Sequence, residues 1–313
     1  MSIDLNLSLL LGAFPTISLT KFAADDYLDM KSRTLGLLLK RHSHLQELSA
    51  CIRDGESKAM GPVGCRYLVG NFDYVTSLTI VMVDDQKGHE SWFPHLASLT
   101  TLILRGRSTS SSFGSAVTMA KFHPWLSQQR LPKVRSVYLE KLTFEPESGR
   151  LDQWLELSCL ETLTVRGCKN MATLFRDLAV SFAQHQSSSL TEVSILIDAN
   201  EDWVSTLEPV LKLAPGMERL YVSTSSSASL HLASVACQGK SLLSFVMDPQ
   251  NQSGRNIHDA EDFYSVRDIE RLIEGCPNLE EVGLSLMPRS VSGMSRNHLL
   301  GLRSVPKTRK RRN

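Results

Sequence analysis

Residues 160–170, Leu160-Glu161-Thr162-Leu163-Thr164-Val165-Arg166-Gly167-Cys168-Lys169-Asn170, contain the pattern that decides the fold. An apolar residue is followed by two variable residues, a second apolar residue, one variable residue and a third apolar residue. Leu163 and Val165 are two positions apart, so they lie on one face of an extended strand. Leu160 belongs to the turn that leads in and packs under the same face. The stretch therefore predicts a short, half-buried strand.

The same apolar triplet occurs nine times, at intervals of 24 to 37 residues. The nine starting positions span 234 residues, which corresponds to a repeat of about 29 residues. A poorer tenth copy is expected near Ile17, with Leu19 and Phe22. The nine triplets are Leu45/Leu48/Ala50, Val75/Leu78/Ile80, Leu99/Leu102/Leu104, Val134/Val137/Leu139, Leu160/Leu163/Val165, Leu190/Val193/Ile195, Met217/Leu220/Val222, Leu242/Phe245/Met247 and Leu279/Val282/Leu284.

Between several triplets the apolar spacing changes to three and four, which predicts helices. Ser265 and Asp268 have the spacing of a capping box at the start of the last helix, and Gly275 and Pro277 mark its end. Residues Leu28, Leu35, Leu38 and Leu39 predict an opening helix. The other three groups of apolar residues with this helical spacing are Leu174/Leu178/Phe182, Trp203/Leu207/Val210/Leu211 and Val266/Ile269/Leu272/Ile273.

The triplet, its spacing and the lead-in Gly275-Cys276-Pro277-Asn278-Leu279 resemble leucine-rich repeats of the ribonuclease-inhibitor-like type found in F-box proteins. Cys168 stands where that family has Asn or Cys, although most copies here lack either residue. The resemblance implies an α/β solenoid, a curved horseshoe with a parallel sheet on its concave face and helices on its convex face. We expect this domain, with nine to ten irregular repeats, over residues 1–287 and a basic, disordered tail over residues 288–313.

The function that the resemblance implies is that of a non-enzymatic protein-interaction scaffold. F-box proteins of this type recognise substrates for ubiquitin ligation, so ubiquitin-ligase components are candidate partners beside an unidentified bound protein. Met1–Asp26 contains no recognisable F-box. The chain is therefore expected to use another adaptor, or to be a fragment or a diverged relative.

The third, fifth and seventh positions of each copy are expected to point away from the core, onto the concave face. Tyrosine and arginine there favour protein binding, because these residues often dominate interface energies. The alternative is a solvated sheet in which Arg105, Glu140 and Arg166 pair with one another across strands. Thr101, Ser136, Thr162, Thr164 and Ser223 are expected on the same face. The candidate binding residues are Ile103, Arg105, Tyr138, Glu140, Arg166, Arg219 and Tyr221.

Catalytic and metal-binding motifs are not recognisable in the sequence, which contains no phosphate-binding loop, nucleophile elbow or zinc-protease motif. We therefore expect no catalytic residues, no cofactor and no metal, although an enzyme whose site forms only in the fold stays open. His42, His44 and the pair His89-Glu90 are expected on the surface. Cys168 and Cys276 are expected to be small buried hydrophobes rather than reactive thiols.

The composition, with 42% hydrophobic residues, excludes a wholly disordered chain. No apolar run reaches the roughly 18 residues of a membrane helix, so we expect no membrane partner. The six cysteines are scattered without a C-x-x-C pair, which favours a reduced, intracellular protein, cytoplasmic or nuclear.

The C-terminal segment carries eight of the 34 basic residues and no acidic one, which leaves 26 basic against 33 acidic residues before it. An acidic body does not favour nucleic acid binding by the folded domain. The tail itself gives an alternative function, that of a nuclear-targeted or polyanion-associated factor. A solvated, disordered end is the simpler interpretation. The residues concerned are Lys307, Arg309, Lys310, Arg311 and Arg312.

The tail hypothesis predicts that a fluorescent fusion lacking residues 307–313 loses nuclear enrichment relative to the full chain. A version with the five basic residues changed to Gln keeps the length and should behave like the deletion. Microscopy measures the nuclear-to-cytoplasmic ratio, and an unchanged ratio in both variants rules out targeting by this segment.

Overall fold

The computed structural model describes residues 9–11, 13–16, 19–24, 29–30, 32–52, 72–83, 96–107, 117–122, 131–146, 151–185, 188–197, 203–224, 230–249 and 264–284. Over these residues the chain is an α/β protein built on one large parallel sheet. The helices occupy connections between its strands.

Within the described ranges, eleven strands form the large sheet and two further strands form a small parallel pair, β6 (Val117–Thr118) and β8 (Leu142–Thr143). The strands of the large sheet are β1 (Lys21–Ala23), β2 (Asp29–Met30), β3 (Glu47–Ile52), β4 (Ser77–Val83), β5 (Thr101–Arg107), β7 (Ser136–Glu140), β9 (Thr162–Arg166), β10 (Glu192–Ile197), β11 (Arg219–Thr224), β12 (Ser244–Pro249) and β13 (Glu281–Leu284).

The helices at 32–41, 171–185, 204–213 and 266–275 coincide with the apolar spacings of three and four seen in the sequence, whereas the short helix at 232–236 was not predicted from it. Short 3₁₀ turns at 119–121, 151–153, 157–159 and 239–241 complete the connections. The capping box of the last helix is present, because the Asp268 N–H donates to Ser265 Oγ at 3.2 Å and the Ser265 N–H donates to Asp268 Oδ2 at 3.3 Å. The helices are α1 (Ser32–Arg41), α2 (Met171–His185), α3 (Val204–Leu213), α4 (Leu232–Ala236) and α5 (Val266–Gly275).

Strand order in the large sheet follows the order along the chain. Every pairing is parallel, and β1 and β2 lie one after the other along the same edge of β3. Consecutive units are therefore neighbours in space, as expected for repeated strand-and-connection units. The prediction of an α/β fold with a parallel sheet is confirmed.

The nine triplets lie in register across the sheet, in two apolar rows. The fourth positions form the row Leu48, Leu78, Leu102, Val137, Leu163, Val193, Leu220, Phe245 and Val282. The sixth positions form the row Ala50, Ile80, Leu104, Leu139, Val165, Ile195, Val222, Met247 and Leu284.

Burial of these rows is nearly complete until the last strand. From β3 to β12 every member is at most 5% exposed, and all belong to one apolar core that also includes the inner faces of the helices. On β13, in contrast, Val282 and Leu284 are only half-buried. The described part of the core is therefore continuous along the sheet and thins out at β13.

Main-chain hydrogen bonds fix the register just before each strand begins. The Gln46 carbonyl oxygen, for example, accepts from the N–H groups of Thr76 at 2.9 Å and Ser77 at 3.0 Å. The two N–H bonds involve no side chain, but at several strand entrances a threonine hydroxyl donates to the same carbonyl as well, as Thr76 Oγ1 does to the Gln46 oxygen at 3.3 Å. The carbonyls that accept two N–H groups in this way belong to Thr20, Gln46, Thr76, Thr100, Arg135, Glu161, Thr191, Glu218 and Leu243.

The tenth copy is shifted relative to the frame expected from the sequence. Phe22 pairs with Leu48, so Phe22 occupies the fourth position of its copy. The copy therefore begins at Leu19 rather than near Ile17, which lies outside the described residues. Its sixth position is Ala24, which is 8% exposed. The small alanine made this frame hard to recognise from hydrophobicity alone.

The assigned strand faces predict that Leu163→Asp and Thr164→Asp differ sharply in stability, although the two positions are adjacent. Leu163 is 1% exposed in the core, whereas Thr164 lies half-buried on the opposite face. Burying an unpaired carboxylate should lower the free energy of unfolding by about 3 kcal/mol or more. Urea denaturation followed by circular dichroism measures both variants, and equal losses would contradict the assignment.

Candidate functional site

The face of the sheet opposite the apolar core carries the third, fifth and seventh positions, and we call it the open face. On β5, β7 and β9 these side chains alternate strictly with buried ones, and each is half-buried or exposed. The alternation arises because successive side chains of a strand point to opposite sides. The open face over these and the following two strands consists of Thr101, Ile103, Arg105, Ser136, Tyr138, Glu140, Thr162, Thr164, Arg166, Glu192, Ser194, Leu196, Arg219 and Tyr221.

Five of the seven candidate binding residues lie together on three adjacent strands. Ile103 pairs in register with Tyr138, and Arg105 pairs with Glu140, which in turn pairs with Arg166. Neighbouring strands are about 4.8 Å apart, so the five side chains form one contiguous area. We call this area the central patch.

Arg105 is held by two contacts within the central patch. Its Nε lies 3.0 Å from Glu140 Oε2, and its guanidinium carbon lies 5.7 Å from the centre of the Tyr138 ring. The ion pair is partly screened by water, since the Arg105 side chain is 33% exposed and that of Glu140 is 16% exposed. Pairs with this exposure contribute on the order of 1 kcal/mol or less. The pairing anticipated between Arg105 and Glu140 therefore forms as a close charge contact, although Arg105 Nε makes no hydrogen bond.

The two remaining candidates lie on β11, separated from the central patch by β10. Arg219 is exposed and its Nη1 lies 3.7 Å from Glu192 Oε2 on β10. Tyr221 is half-buried and pairs in register with Ser194 and Val246. The structure therefore places Arg219 and Tyr221 on the open face but outside the central patch. Ser223, expected beside them, is buried instead, with 1% of its surface exposed.

The open face is buried at the seventh positions of β3 and β4. Cys51 and Val81 pair in register there and form a small apolar cluster of their own, with exposures of 0% and 2%. Sequence reasoning missed this change. The available signal was the residue type, because both positions are apolar where the next three strands carry Arg105, Glu140 and Arg166.

The backbone beyond the central patch adopts a tight conformation at the eighth position. Lys141 and Gly167 have φ values of +53° and +58°, in the left-handed region. At the equivalent position of β5, a Cβ on Gly106 would overlap the carbonyl oxygen of Lys141. A glycine is therefore required at 106 by close approach, and Lys141 adopts a conformation that costs a non-glycine residue free energy.

Cys168 and Cys276 have the buried character expected from the sequence, each with 1% of its surface exposed. The Leu142 N–H donates to Cys168 Sγ at 3.4 Å, and the thiol lies 3.6 Å from the carbonyl oxygens of Leu139 and Arg166. Burial raises the pKa of Cys168 to about 12. A thiol with such a pKa stays protonated and is a poor nucleophile at neutral pH.

The expectation of a surface position is wrong for His42. Its side chain is 0% exposed, and its Nδ1 accepts from the Leu19 N–H at 3.4 Å. Burial, together with the charge of Arg41, lowers the pKa of His42. His44 is exposed as expected, with its ring 4.8 Å from the ring of Tyr74. The burial of His42 depends on a partner 23 residues earlier, which local sequence does not reveal.

Some candidates from the sequence lie outside the described residues, namely the pair His89-Glu90, the opening-helix residue Leu28 and the whole basic tail. Within the ranges that the structure describes, no group of three or more His, Cys, Asp or Glu side chains is arranged to hold a metal ion. Among the same residues, no helix has both the length and the apolar character needed to cross a bilayer.

Comparison with known proteins gives no relative: no protein-family model matches the sequence, and no curated protein matches it. Leucine-rich repeats therefore stay a prediction from the sequence.

Burial of neutral His42 predicts that stability falls as the pH is lowered through about 6.5, the ordinary pKa of the side chain. Below that pH the unfolded state binds a proton that the folded state disfavours. The stability that depends on neutral His42 is therefore fully present above pH 6.5 and is lost on acidification. The free energy of unfolding, measured by urea titration between pH 5 and 8, should depend less on pH in His42→Gln. Identical pH profiles of the wild type and His42→Gln would contradict the assignment.

Proposed function

We propose that the chain is a non-enzymatic protein-interaction scaffold, a leucine-rich-repeat solenoid that binds a partner protein through the open face. The observation that carries the proposal is the registered array of nine triplets on sequentially ordered parallel strands. In such an array one face of the sheet packs into the core, and the opposite face presents regularly spaced side chains to solvent. Contacts between successive strands and between successive helices support the organisation of a solenoid.

Curvature of the solenoid follows from the different widths of its two layers. Strands are spaced by about 4.8 Å, whereas packed helices need about 8–10 Å. Helices α2 to α5 lie in successive connections, and each packs against the next. The wider helical layer is accommodated if the sheet lies on the inside of a bend. The difference in width between the two layers supports a concave open face and a horseshoe shape.

The residues of the central patch suit protein binding. Arg105, Tyr138 and Arg166 belong to the types that most often dominate interface energies, and Ile103 adds an apolar contact beside Tyr138. Arg105 is already oriented by Glu140 and Tyr138, so little conformational entropy is lost when it meets a partner. Substrate recognition in ubiquitin ligation is the specific role that the resemblance to F-box proteins implies, and we include it in the proposal.

Affinity purification with mass spectrometry tests the proposal through two matched triple variants. Arg105→Ala/Tyr138→Ala/Arg166→Ala removes the centre of the open face. The control Arg176→Ala/Val180→Ala/Arg267→Ala removes two arginines and one apolar residue from exposed positions of α2 and α5.

Partners retained by the wild type and the control but reduced at least tenfold in the open-face variant are the expected result. The same partner set in all three proteins would argue against binding through the open face. Ubiquitin-ligase subunits among the retained partners support the F-box-like role, and their absence from a reproducible partner set removes that part of the proposal.

A further inference from the structure

The C-terminal end of the large sheet leaves part of the apolar core uncovered within the described residues. β13 is the last strand in the sheet order, and Val282 and Leu284 on it are only half-buried. On β12 the equivalent residues Phe245 and Met247 are 0% and 5% exposed. Leu279, which leads into β13, is likewise only partly buried against the core. In this part of the chain the two apolar rows therefore end without a further unit to cover them.

Helix α5 adds two apolar side chains to the same end. A Cβ on Gly275 would lie 3.0 Å from the Ala236 Cβ, so the Gly275 side of α5 faces α4. Ile273 precedes Gly275 by two residues, which turns it about 160° away from that side, and it is 42% exposed. Val266 lies seven residues before Ile273 on the same stripe of the helix and is half-buried. The apolar surface formed by Val266, Ile273, Leu279, Val282 and Leu284 is called the end face.

An uncovered end face is unfavourable for a stack of repeated units. Each inner unit buries both of its flanks against neighbours, and a terminal unit needs a cap that presents a polar outer surface. Single exposed apolar residues are common on protein surfaces. The end face instead combines apolar residues from a helix, a turn and a strand, and such a continuous patch marks a contact site.

The sequence that follows β13 has the composition and the length to cover the end face. Residues 285–305 comprise 21 residues, of which eight are apolar and none is acidic. In the unit of β10, 16 residues lead from the end of the strand at Ile197 to the end of helix α3 at Leu213. A segment that starts at residue 285 can therefore reach the outer side of α5. The apolar residues are Leu286, Met287, Val291, Met294, Leu299, Leu300, Leu302 and Val305.

Charge and connectivity favour the same occupant. Glu270 lies on the stripe of α5 between Val266 and Ile273, and Glu274 directly follows Ile273; both carboxylates are exposed. The two arginines of α5 lie nearer the side that faces α4, whereas residues 285–305 carry three arginines. Because this segment continues directly from β13, its local concentration at the end face is far higher than that of a second copy of the chain.

We propose that residues 285–305 bind the end face of their own chain and cap the stack of units. Their apolar side chains cover Ile273, Val282 and Leu284, as the next unit does for the equivalent residues elsewhere in the sheet. For residues 288–305 this replaces the expectation of a disordered tail. The inference is independent of the role proposed for the open face, since the end face lies on β13 and α5 and the central patch on β5, β7 and β9.

Site-specific photocrosslinking on the full chain tests which molecule covers the end face. The variant Ile273→benzoylphenylalanine places a photoreactive group there, and Val180→benzoylphenylalanine on α2 is the matched control, since Val180 is 41% exposed. In the monomeric product, mass spectrometry should find crosslinks from position 273 to residues 285–305, and none to this segment from position 180. Crosslinked dimers as the main product from position 273 would assign the end face to a second copy. Crosslinks from position 273 only outside residues 285–305, or none at all, would overturn the proposal as well.

Hydrogen exchange measures whether the segment protects the end of the sheet. The variant Leu299→Asn/Leu300→Asn/Leu302→Asn removes three apolar side chains from residues 285–305. Amide exchange in β13 should accelerate about tenfold, because this strand loses its cover and opens more often. Exchange in β9, in the middle of the sheet, should stay at the wild-type rate.

A second triple variant provides the control for the exchange measurement. Ser290→Asn/Ser292→Asn/Ser295→Asn introduces the same three amides at polar positions of the same segment and should leave exchange in β13 unchanged. Equal exchange rates of β13 in the wild type and the leucine variant would show that the segment does not cover the end face. Equal acceleration in both triple variants would contradict a contact made by the apolar side chains.

Discussion

Burial of two apolar rows in register is the constraint on which the rest of the structure depends. Leu163 and Val165 have neighbours of the same character on both adjacent strands, and the same holds from β3 to β12. Water is excluded from the rows only while neighbouring units remain in place, because each unit alone would expose both flanks. The open face, the helix layer and the positions of the candidate residues on the described strands follow from this arrangement.

Much of this arrangement is predictable because it depends on local periodicity. A spacing of two between apolar residues fixes which side of a strand they occupy, and that assigned Ile103, Arg105 and Tyr138 correctly to the side away from the core. The helices α2, α3 and α5 follow from spacings of three and four in the same way. Register could be anticipated as well, since a shift by one residue would turn Leu163 towards the opposite face.

The features that sequence reasoning missed depend on segments distant along the chain. His42 is buried beside Leu19, and Cys51 is buried beside Val81 from the next unit. Ser223 lies on the side of β11 that the alternation predicts, but it is buried. Alternation shows on which side of a strand a residue lies, and it does not show what packs over that side. The arrangement of the central patch likewise required the register, since Arg105, Glu140 and Arg166 are 35 and 26 residues apart in the sequence.

The forked main-chain contacts at the strand entrances have an evolutionary consequence. The carbonyl of Gln46 or Glu161 receives two N–H groups whatever its own side chain is, so the scaffold makes little demand on residue identity at that position, and the hydroxyl of Thr76 or Thr191 only adds to these bonds. Substitutions on the open face can therefore accumulate without disturbing how the units stack. A chain built in this way can acquire a new binding specificity by drift at its surface, and ancestry then becomes hard to trace in the variable positions while the apolar ones persist.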